Sequence, residues 1–200
     1  AGIRYGDTVV VLGLGVIGFL TAFHAGVSGA GRVVVADPLA WKRNRATELG
    51  FVDVLDPTAP GFAPRILEVT DGLGADVVIE ASGNTAAWKP AFEAVSYGGK
   101  ILVMGTQTHA ADIVFSDYVM HKEITIIGTW AIGNDLPIDG RLNRWNGRAN
   151  IEGAMRKIAT GGLPVSGLIS HRIPFSDLPS LYGRLESGEL EYLQILVTYN

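Results

Sequence analysis

Three glycines near the start of the chain have a spacing that could hold a phosphate group. Residues 9–12 form a β-branched apolar run, which is typical of a strand buried on both faces. Gly13 then permits a sharp turn, Gly15 leaves the backbone open to close approach by a ligand, and Gly18 lets the next helix lie close to the strand. This order of strand, turn and helix predicts a pyrophosphate site.

The helix that follows supplies the donors for such a site. Its first backbone N–H groups, those of Gly15, Val16 and Ile17, have no partner within the helix, and the positive end of the helix dipole faces the same way. No lysine is required to bind the anion. The chain has 26 glycines and several nucleotide-binding folds use similar turns, so the glycines alone do not decide between folds.

An aspartate, Asp37, closes the second apolar run at residues 32–36, about twenty residues beyond the glycines. A carboxylate at this position accepts hydrogen bonds from the ribose hydroxyls of a dinucleotide and repels a 2′-phosphate, which favours NAD over NADP. Two alternatives stay open. Asp37 could be a turn or cap residue before Pro38, and Lys42 with Arg43 could accommodate a phosphate near the ribose.

Alternating strand and helix patterns place these residues at the carboxyl ends of the strands of one sheet. The apolar runs predict six strands, at residues 9–12, 32–36, 51–55, 75–81, 100–104 and 123–128. Helices are predicted between them at 17–27, 39–49, 62–70 and 85–95, with a short helical piece at 116–121. Such alternation forms right-handed crossovers. We therefore expect an α/β fold, a doubly wound, parallel, six-stranded Rossmann sheet with strand order 3-2-1-4-5-6.

In a sheet of this order, a ligand lies at the carboxyl ends of the first and fourth strands. Glu80, at the end of a buried strand, needs a hydrogen-bond partner, which the neighbouring backbone could supply. The residues that follow the fourth and fifth predicted strands are candidates for contact with the second half of a dinucleotide: Ala81, Ser82, Gly83, Gly105 and Thr106.

The pattern changes after the sixth strand. Residues 130–146 are predicted to form an irregular loop bracketed by Trp130 and Trp145, followed by a helix at 147–160. The remaining residues predict an extended segment at 169–173, a helix at 177–187 with Ser176 as its N-cap, and a strand at 193–198. The chain is thus divided into a dinucleotide-binding domain at 1–160 and a C-terminal strand-helix-strand extension at 161–200.

The composition argues against several classes of function. Hydrophobic residues make up 48% and charged residues 18% of the 200 positions, which is typical of a domain with a substantial core. A net charge of −4 without an extended basic cluster argues against nucleic-acid binding. No apolar run approaches the roughly 20 residues of a membrane span, and the first residues do not form a signal peptide, so we expect a cytoplasmic protein.

Metal and thiol chemistry are not predicted within the chain. The sequence has no cysteine, which excludes disulfides and thiolate ligands. No two of the four histidines have the spacing of metal ligands on a helix.

Further segments resemble a known family, the medium-chain dehydrogenase/reductases, and within it the cofactor-binding half of the zinc alcohol and polyol dehydrogenases. The resemblance covers nearly the whole chain and rests on residues 6–13, 48–50, 74–83, 98–105 and 122–128. It implies hydride transfer between NAD and a small-molecule alcohol or carbonyl substrate, with zinc as Lewis acid. It also implies a homo-oligomer, a dimer or tetramer, formed through the sixth-strand region.

Carried over by position, the resemblance gives each candidate residue a part of the cofactor. Val16 and Ile17 would donate to the pyrophosphate, and Asp37 would bind the adenosine ribose. Lys42 would stand beside the adenine. Three further residues would border the nicotinamide half: Ser82, Gly105 and Thr106.

One part of the family's pattern has no counterpart here. In the family, the zinc ligands and the proton relay come from an N-terminal domain that precedes a segment like Gly6-Asp7. We therefore expect zinc only in a missing N-terminal domain, with the extension at 161–200 packed on it. The chain is predicted to bind dinucleotide, to hold no catalytic residue and to turn over no alcohol by itself. Two alternatives stay open: a zinc-independent, NADP-dependent quinone reductase and a non-catalytic NAD(H)-sensing module.

Overall fold

The computed structural model describes residues 1–107, 113–129 and 147–199. The chain divides into two compact units, Ala1–Leu163 and Pro164–Asn200. The loop predicted at 130–146, with Trp130 and Trp145, lies outside the described residues. No helix within the described ranges combines the length and the apolar character needed to cross a membrane.

The first unit is built on a six-stranded parallel sheet with the order β3-β2-β1-β4-β5-β6. Its strands are β1 (Thr8–Leu12), β2 (Arg32–Ala36), β3 (Asp53–Leu55), β4 (Ala75–Glu80), β5 (Val95–Val103) and β6 (Thr125–Gly128). Helices between the first five strands are α1 (Val16–Val27), α2 (Ala40–Glu48), α3 (Phe62–Val69) and α4 (Trp88–Ala94). The predicted fold class and strand order are confirmed.

The central strand β1 is buried on both faces. Val10 and Leu12 share a hydrophobic core with Phe62 of α3 and Phe92 of α4. Val9 and Val11 are also fully buried, and they project to the opposite face because side chains alternate along a strand. Packing on both sides fixes the carboxyl end of β1, where the glycine turn begins.

The third and sixth strands are shorter than the predicted spans of 51–55 and 123–128. β3 begins only at Asp53 because Gly50, with a φ of +91°, and Phe51 complete the C-terminal turn of α2, where the Phe51 N–H donates to a helix carbonyl. β6 begins at Thr125 because Glu123 has a φ of +53°, outside the range of extended backbone.

The fifth strand is longer than predicted. Residues 97–99 were expected to separate a helix from a strand at 100–104, but β5 already starts at Val95. Tyr97-Gly98-Gly99 lie within it as an irregularity in its pairing with β4. The N–H of Gly98 donates to the carbonyl of Lys122 at 2.7 Å, so this turn-like sequence is held in the sheet by a distant residue.

The helical piece predicted at 116–121 is a π-helical turn at Ser116–Met120, and α5 (Gly147–Ala159) ends the first unit's described helices. The second unit contains β7 (Ile169–Pro174), α6 (Leu178–Glu186) and β8 (Gln194–Thr198), with the two strands parallel. Ser176 does not cap α6, because a 3-10 turn at Phe175–Asp177 precedes this helix and the Ser176 hydroxyl donates to the Asp177 carboxylate instead.

Candidate functional site

A cavity of about 250 Å³ opens at the carboxyl ends of β1, β2 and β4. Four predicted site residues line it, namely Gly13, Asp37, Lys42 and Ser82. Other lining residues follow the neighbouring strands: Pro38 and Leu39 after β2, Pro57 and Thr58 after β3, and Asn84, Ala86, Ala87 and Pro90 after β4. The turn after β1 therefore shares one cavity with the ends of its flanking strands.

Gly13 and Gly18 are required by the packing of the protein itself. Gly13 has a φ of +95°, and a Cβ at this position would lie 2.7 Å from the backbone nitrogen of Ser82. A Cβ at Gly18 would lie 1.9 Å from the carbonyl oxygen of Gly13. These short distances mean that the turn packs closely against the end of β4, and that the start of α1 packs closely against the turn.

Gly15 stands apart because nothing in the described protein requires a glycine there. A Cβ at Gly15 would meet no atom within 4 Å, and its φ of −80° and ψ of −177° are accessible to any residue. The position instead leaves bare backbone facing open space. That arrangement fits a ligand that approaches the main chain closely.

The start of α1 can bind an anion. No side chain caps this helix, and its first turn carries no acidic residue. The N–H groups of Val16 and Ile17 stand at the positive end of a 12-residue helix, and Ile17 is 55% exposed. With Gly15, they form a backbone cradle that fits the pyrophosphate of a dinucleotide.

Asp37 lies in the cavity wall and is also part of the turn's support. Its carboxylate is 3% exposed and accepts hydrogen bonds from the N–H of Leu14 at 2.8 Å and the N–H of Leu39 at 2.9 Å. Lys42 Nζ lies 3.4 Å from the same carboxylate. A carboxylate has about four acceptor sites, so these three partners leave room for a ribose hydroxyl.

Asp37 thus has the local turn role that the sequence left open, through its bond to Leu39. It also lines the cavity where a ribose could lie. The two interpretations are compatible. The Leu39 and Leu14 N–H groups occupy one acceptor site on each carboxylate oxygen, and a carboxylate has about four such sites.

Arg43, the other cation of this region, is turned to the backbone. Its Nη1 donates to the carbonyl oxygens of Asp37 at 2.8 Å and Pro38 at 2.7 Å, and lies 3.1 Å from the carboxylate of Asp56. Hydrogen bonds from the hydroxyl and N–H of Thr58, with the charge of Arg43, hold the pKa of Asp56 below its usual value of 3.8. Arg43 is thus engaged within the protein.

The end of β4 is organised around a second carboxylate, that of Glu80. It is fully buried and accepts hydrogen bonds from the N–H and hydroxyl of Ser82 and from the N–H of Gly83 at 3.0 Å. Its other oxygen accepts from Gln107 Nε2 at 2.7 Å. The structural role considered for Glu80 is therefore confirmed, and it links the ends of β4 and β5.

The remaining predicted residues lie beside this carboxylate. The N–H of Ala81 donates to the Leu12 carbonyl at 2.9 Å, which joins β4 to β1. A Cβ at Gly83, where φ is +70°, would lie 2.9 Å from the carbonyl oxygen of Thr106, and one at Gly105 would lie 2.1 Å from the nitrogen of Gly83. These residues adjoin one another at the sheet edge, although they do not line the cavity.

Sequence reasoning missed the contribution of the third strand and of Gln107. Pro57 and Thr58 line the cavity because β3 is parallel to β2 and ends at the same edge of the sheet. The Asp56-Pro57 pair directly after the predicted strand was a usable signal. Gln107 gave no such signal, because its partner Glu80 lies on another strand.

Tyr118 and Lys122, which are four residues apart before β6, make structural contacts. The Tyr118 ring stacks on Phe92 with centroids 4.9 Å apart. Lys122 Nζ donates to the carbonyl oxygens of Phe92 at 2.7 Å and Val95 at 2.9 Å, and burial lowers its pKa from 10.5. Lys122 therefore caps the end of α4.

Comparison with known proteins gives the chain its relatives. A sequence profile described as zinc-binding dehydrogenase matches residues 5–142. L-threonine 3-dehydrogenase from Pyrococcus furiosus is 30% identical over 151 residues, which cover 72% of this chain and 43% of the relative. Alcohol dehydrogenase 1 from Petunia hybrida is 30% identical over 189 residues, covering 92% of this chain and 46% of the relative.

A solved structure has the same fold as this chain. An alcohol dehydrogenase from Thermus sp. ATN1 superimposes with a TM-score of 0.80 and 24% identity, over 99% of this chain and 52% of its own length. The chain therefore spans about half the length of the proteins it matches. With a profile match over most of its residues, the chain belongs to the zinc-binding dehydrogenase family.

Proposed function

We propose that this chain is the NAD-binding portion of an oxidoreductase that transfers hydride between a nicotinamide and an alcohol or carbonyl group. The observation that carries the proposal is Gly15, whose bare backbone faces open space beside the uncapped start of α1. Neither packing nor backbone conformation accounts for that glycine. Close approach of a pyrophosphate does.

Each part of the dinucleotide has candidate partners in this chain. The N–H groups of Gly15, Val16 and Ile17 bind the pyrophosphate, and Gly13 and Gly18 hold them in place. Asp37 accepts hydrogen bonds from the adenosine ribose, and Lys42 stands beside the adenine in the same cavity. The nicotinamide half is bordered by the residues at the ends of β4 and β5: Ala81, Ser82, Gly83, Gly105 and Thr106.

The bound nicotinamide supplies the chemistry by accepting or donating a hydride. The residues of this chain bind and orient the cofactor, and we assign none of them a proton-transfer role. The preference for NAD follows from Asp37, because an anion in the ribose wall repels a 2′-phosphate. Arg43, which could offset that repulsion, is engaged with Asp56.

Across the described residues, no cluster of three or more His, Cys, Asp or Glu side chains could hold a metal ion. We propose that zinc and the substrate pocket belong to a partner domain of the kind that makes up the rest of the relatives' length. The names of two relatives, an L-threonine 3-dehydrogenase and an alcohol dehydrogenase, support an alcohol as the class of substrate.

The C-terminal extension is proposed to pack on that partner domain. The second unit exposes four aromatic side chains, those of Phe175, Tyr182, Tyr192 and Tyr199. The rings of Phe175 and Tyr199 stack with centroids 5.1 Å apart. An exposed aromatic cluster of this kind is typical of an interface. We further propose a homo-oligomer through β6, which is an edge strand of the sheet and has β5 as its one neighbour among the described strands.

Titration with NADH and NADPH tests the proposal. The chain has four tryptophans, whose fluorescence reports binding, and NADH is expected to bind more tightly than NADPH. Asp37→Ala should weaken NADH binding by about 1 to 3 kcal/mol through loss of charge-assisted hydrogen bonds. Asp53→Ala, which removes a carboxylate from the neighbouring strand outside the cavity, is the matched control.

Three results would contradict parts of this function. Absence of NADH binding by the folded chain would overturn it altogether, and tighter binding of NADPH would overturn the role of Asp37. Oxidation of an alcohol by these 200 residues alone would show that the catalytic groups lie within them. The oligomer is tested separately, by comparing the sedimentation of the wild-type chain with that of the Ile126→Pro variant, which alters β6.

A further inference from the structure

The Arg43–Asp56 ion pair lies directly behind the ribose end of the cavity. Arg43 belongs to α2, and its Nη1 bonds to the carbonyl oxygens of Asp37 and Pro38, two residues of the cavity wall. Neither Arg43 nor Asp56 lines the cavity itself. The guanidinium group thus contacts the backbone of two residues in the cavity wall.

Asp56 holds that guanidinium from the far side. One carboxylate oxygen lies 3.1 Å from Arg43 Nη1, and the other accepts from the N–H and the hydroxyl of Thr58 at 2.9 and 2.6 Å. The bonds to Thr58 fix the carboxylate, because they form a closed turn directly after β3. Thr58 therefore orients the carboxylate of Asp56 toward the guanidinium group of Arg43.

Arg43 has both the freedom and the chemistry to bind a phosphate if released. Its side chain is 24% exposed, and all of its contacts with the described residues use Nη1. Guanidinium groups bind phosphate oxygens through two parallel hydrogen bonds. Lys42, the other nearby cation, already pairs with Asp37 at 3.4 Å.

We propose that Asp56 is a specificity-determining residue, which disfavours NADP by retaining Arg43 away from the 2′ position of the adenosine ribose. This inference rests on the proposed NAD-binding function. Asp37 repels the 2′-phosphate directly, and Asp56 withholds the cation that would compensate for it. The preference for NAD is thus divided between the ends of β2 and β3.

Asp56→Asn is the variant that tests this role. Asparagine keeps the carbonyl oxygen that accepts from Thr58, so the cavity wall at Pro57 and Thr58 stays in place. Its amide cannot pair with Arg43. We expect NADPH to bind about five- to tenfold more tightly than to the wild-type chain, the size of effect that one added charge-assisted hydrogen bond gives. NADH binding should change less than twofold.

Two further variants separate this role from a general change in charge. Asp53→Asn removes the same charge from β3, but Asp53 pairs with Arg32 and Arg65 and does not line the cavity, so the ratio of NADPH to NADH affinity should stay as in the wild type. In the double variant Arg43→Gln with Asp56→Asn, the gain in NADPH affinity should disappear. Unfolding midpoints of all variants check that each is folded.

The outcomes distinguish this inference from the function on which it rests. If the wild-type chain binds neither NADH nor NADPH, the proposed function fails. If it binds NADH but Asp56→Asn leaves NADPH affinity unchanged, the role of Asp56 is wrong while NAD binding stands. An equal gain in Asp53→Asn, or a gain that persists in the double variant, would also overturn it.

Discussion

The carboxylates of Asp37 and Glu80 both lie beside the end of β1, but they have different roles. Leu12, the last residue of β1, is paired in register with Ala36 of β2 and with Glu80 of β4. Asp37 therefore stands on one side of the glycine turn and Glu80 on the other. In the proposed site, Asp37 stands on the adenosine side and Glu80 on the nicotinamide side.

Their surroundings differ in what is left over for a ligand. Asp37 faces the cavity, and its described partners are two backbone N–H groups and Lys42. Glu80 has no exposed surface, does not line the cavity, and accepts from Ser82, Gly83 and Gln107. A carboxylate that faces the cavity can recognise a ligand, whereas an enclosed one can only shape the backbone that does.

The largest effect expected from this contrast is on stability at Glu80. Glu80→Ala leaves the N–H groups of Ser82 and Gly83 and the amide of Gln107 without their acceptor at a part-buried position. We expect the free energy of unfolding to fall by about 2 to 4 kcal/mol, measured by urea denaturation. Asp37→Ala also removes the acceptor of the Leu14 and Leu39 N–H groups, but its distinguishing effect should be the loss of NADH affinity.

Glu80→Gln provides the matched control for this prediction. Its carbonyl oxygen can still accept from Ser82 and Gly83, and Gln107 can turn its amide so that Oε1, which has no partner among the described residues, accepts from the new amide. The loss should therefore be about 1 kcal/mol or less. A wild-type unfolding free energy in Glu80→Ala would remove the contrast between the two carboxylates.

The adenosine side was the more predictable of the two from sequence. The β-branched runs of β1 and β2, the glycine spacing and Asp37 all lie within one short stretch, so local patterns were sufficient to indicate the site. The turn-supporting hydrogen bond that the Leu14 N–H donates to Asp37 was not predictable, because it depends on how closely the end of β2 approaches the turn.

The nicotinamide side depends on contacts between distant segments. Glu80 was recognised as a buried carboxylate in need of a partner, but Gln107 was not identified because the β4–β5 pairing brings the two together. The early start of β5 was not predicted for the same reason. Tyr97-Gly98-Gly99 has the composition of a turn, but the carbonyl of the distant Lys122 holds it in the sheet. Strand order followed from alternation, whereas strand ends did not.

A pair of glycines gives the second prediction, of intermediate size. Gly15→Ala places its methyl group in open space, so the unfolding free energy should stay within about 0.5 kcal/mol of wild type. NADH affinity should fall about tenfold or more, because the methyl group occupies the path of the pyrophosphate. Calorimetric titration and thermal unfolding on the same sample separate the two quantities.

Gly83→Ala is the counterpart on the nicotinamide side and should behave in the opposite way. Its φ of +70° and the Thr106 carbonyl oxygen, 2.9 Å from an added Cβ, predict a loss of about 1 to 3 kcal/mol in unfolding free energy. If Gly15→Ala were the destabilised variant and bound NADH normally, the assignment of Gly15 to ligand contact would be wrong.

The smallest expected effect is a pH dependence on the adenosine side. Hydrogen bonds from Thr58, together with the charge of Arg43, lower the folded-state pKa of Asp56 below 3.8. A carboxyl group whose pKa is lower in the folded state contributes stability above its unfolded pKa and loses it as the pH falls through the folded one.

The difference in unfolding free energy between wild type and Asp56→Asn should therefore be constant near neutral pH, at less than about 1 kcal/mol because the group is partly exposed. It should shrink as the pH falls below about 4. Urea denaturation at about pH 7, 5, 4 and 3 measures this change. A difference that grew on acidification would mean that the charged form of Asp56 is not the stabilising one, and that its hold on Arg43 is not electrostatic.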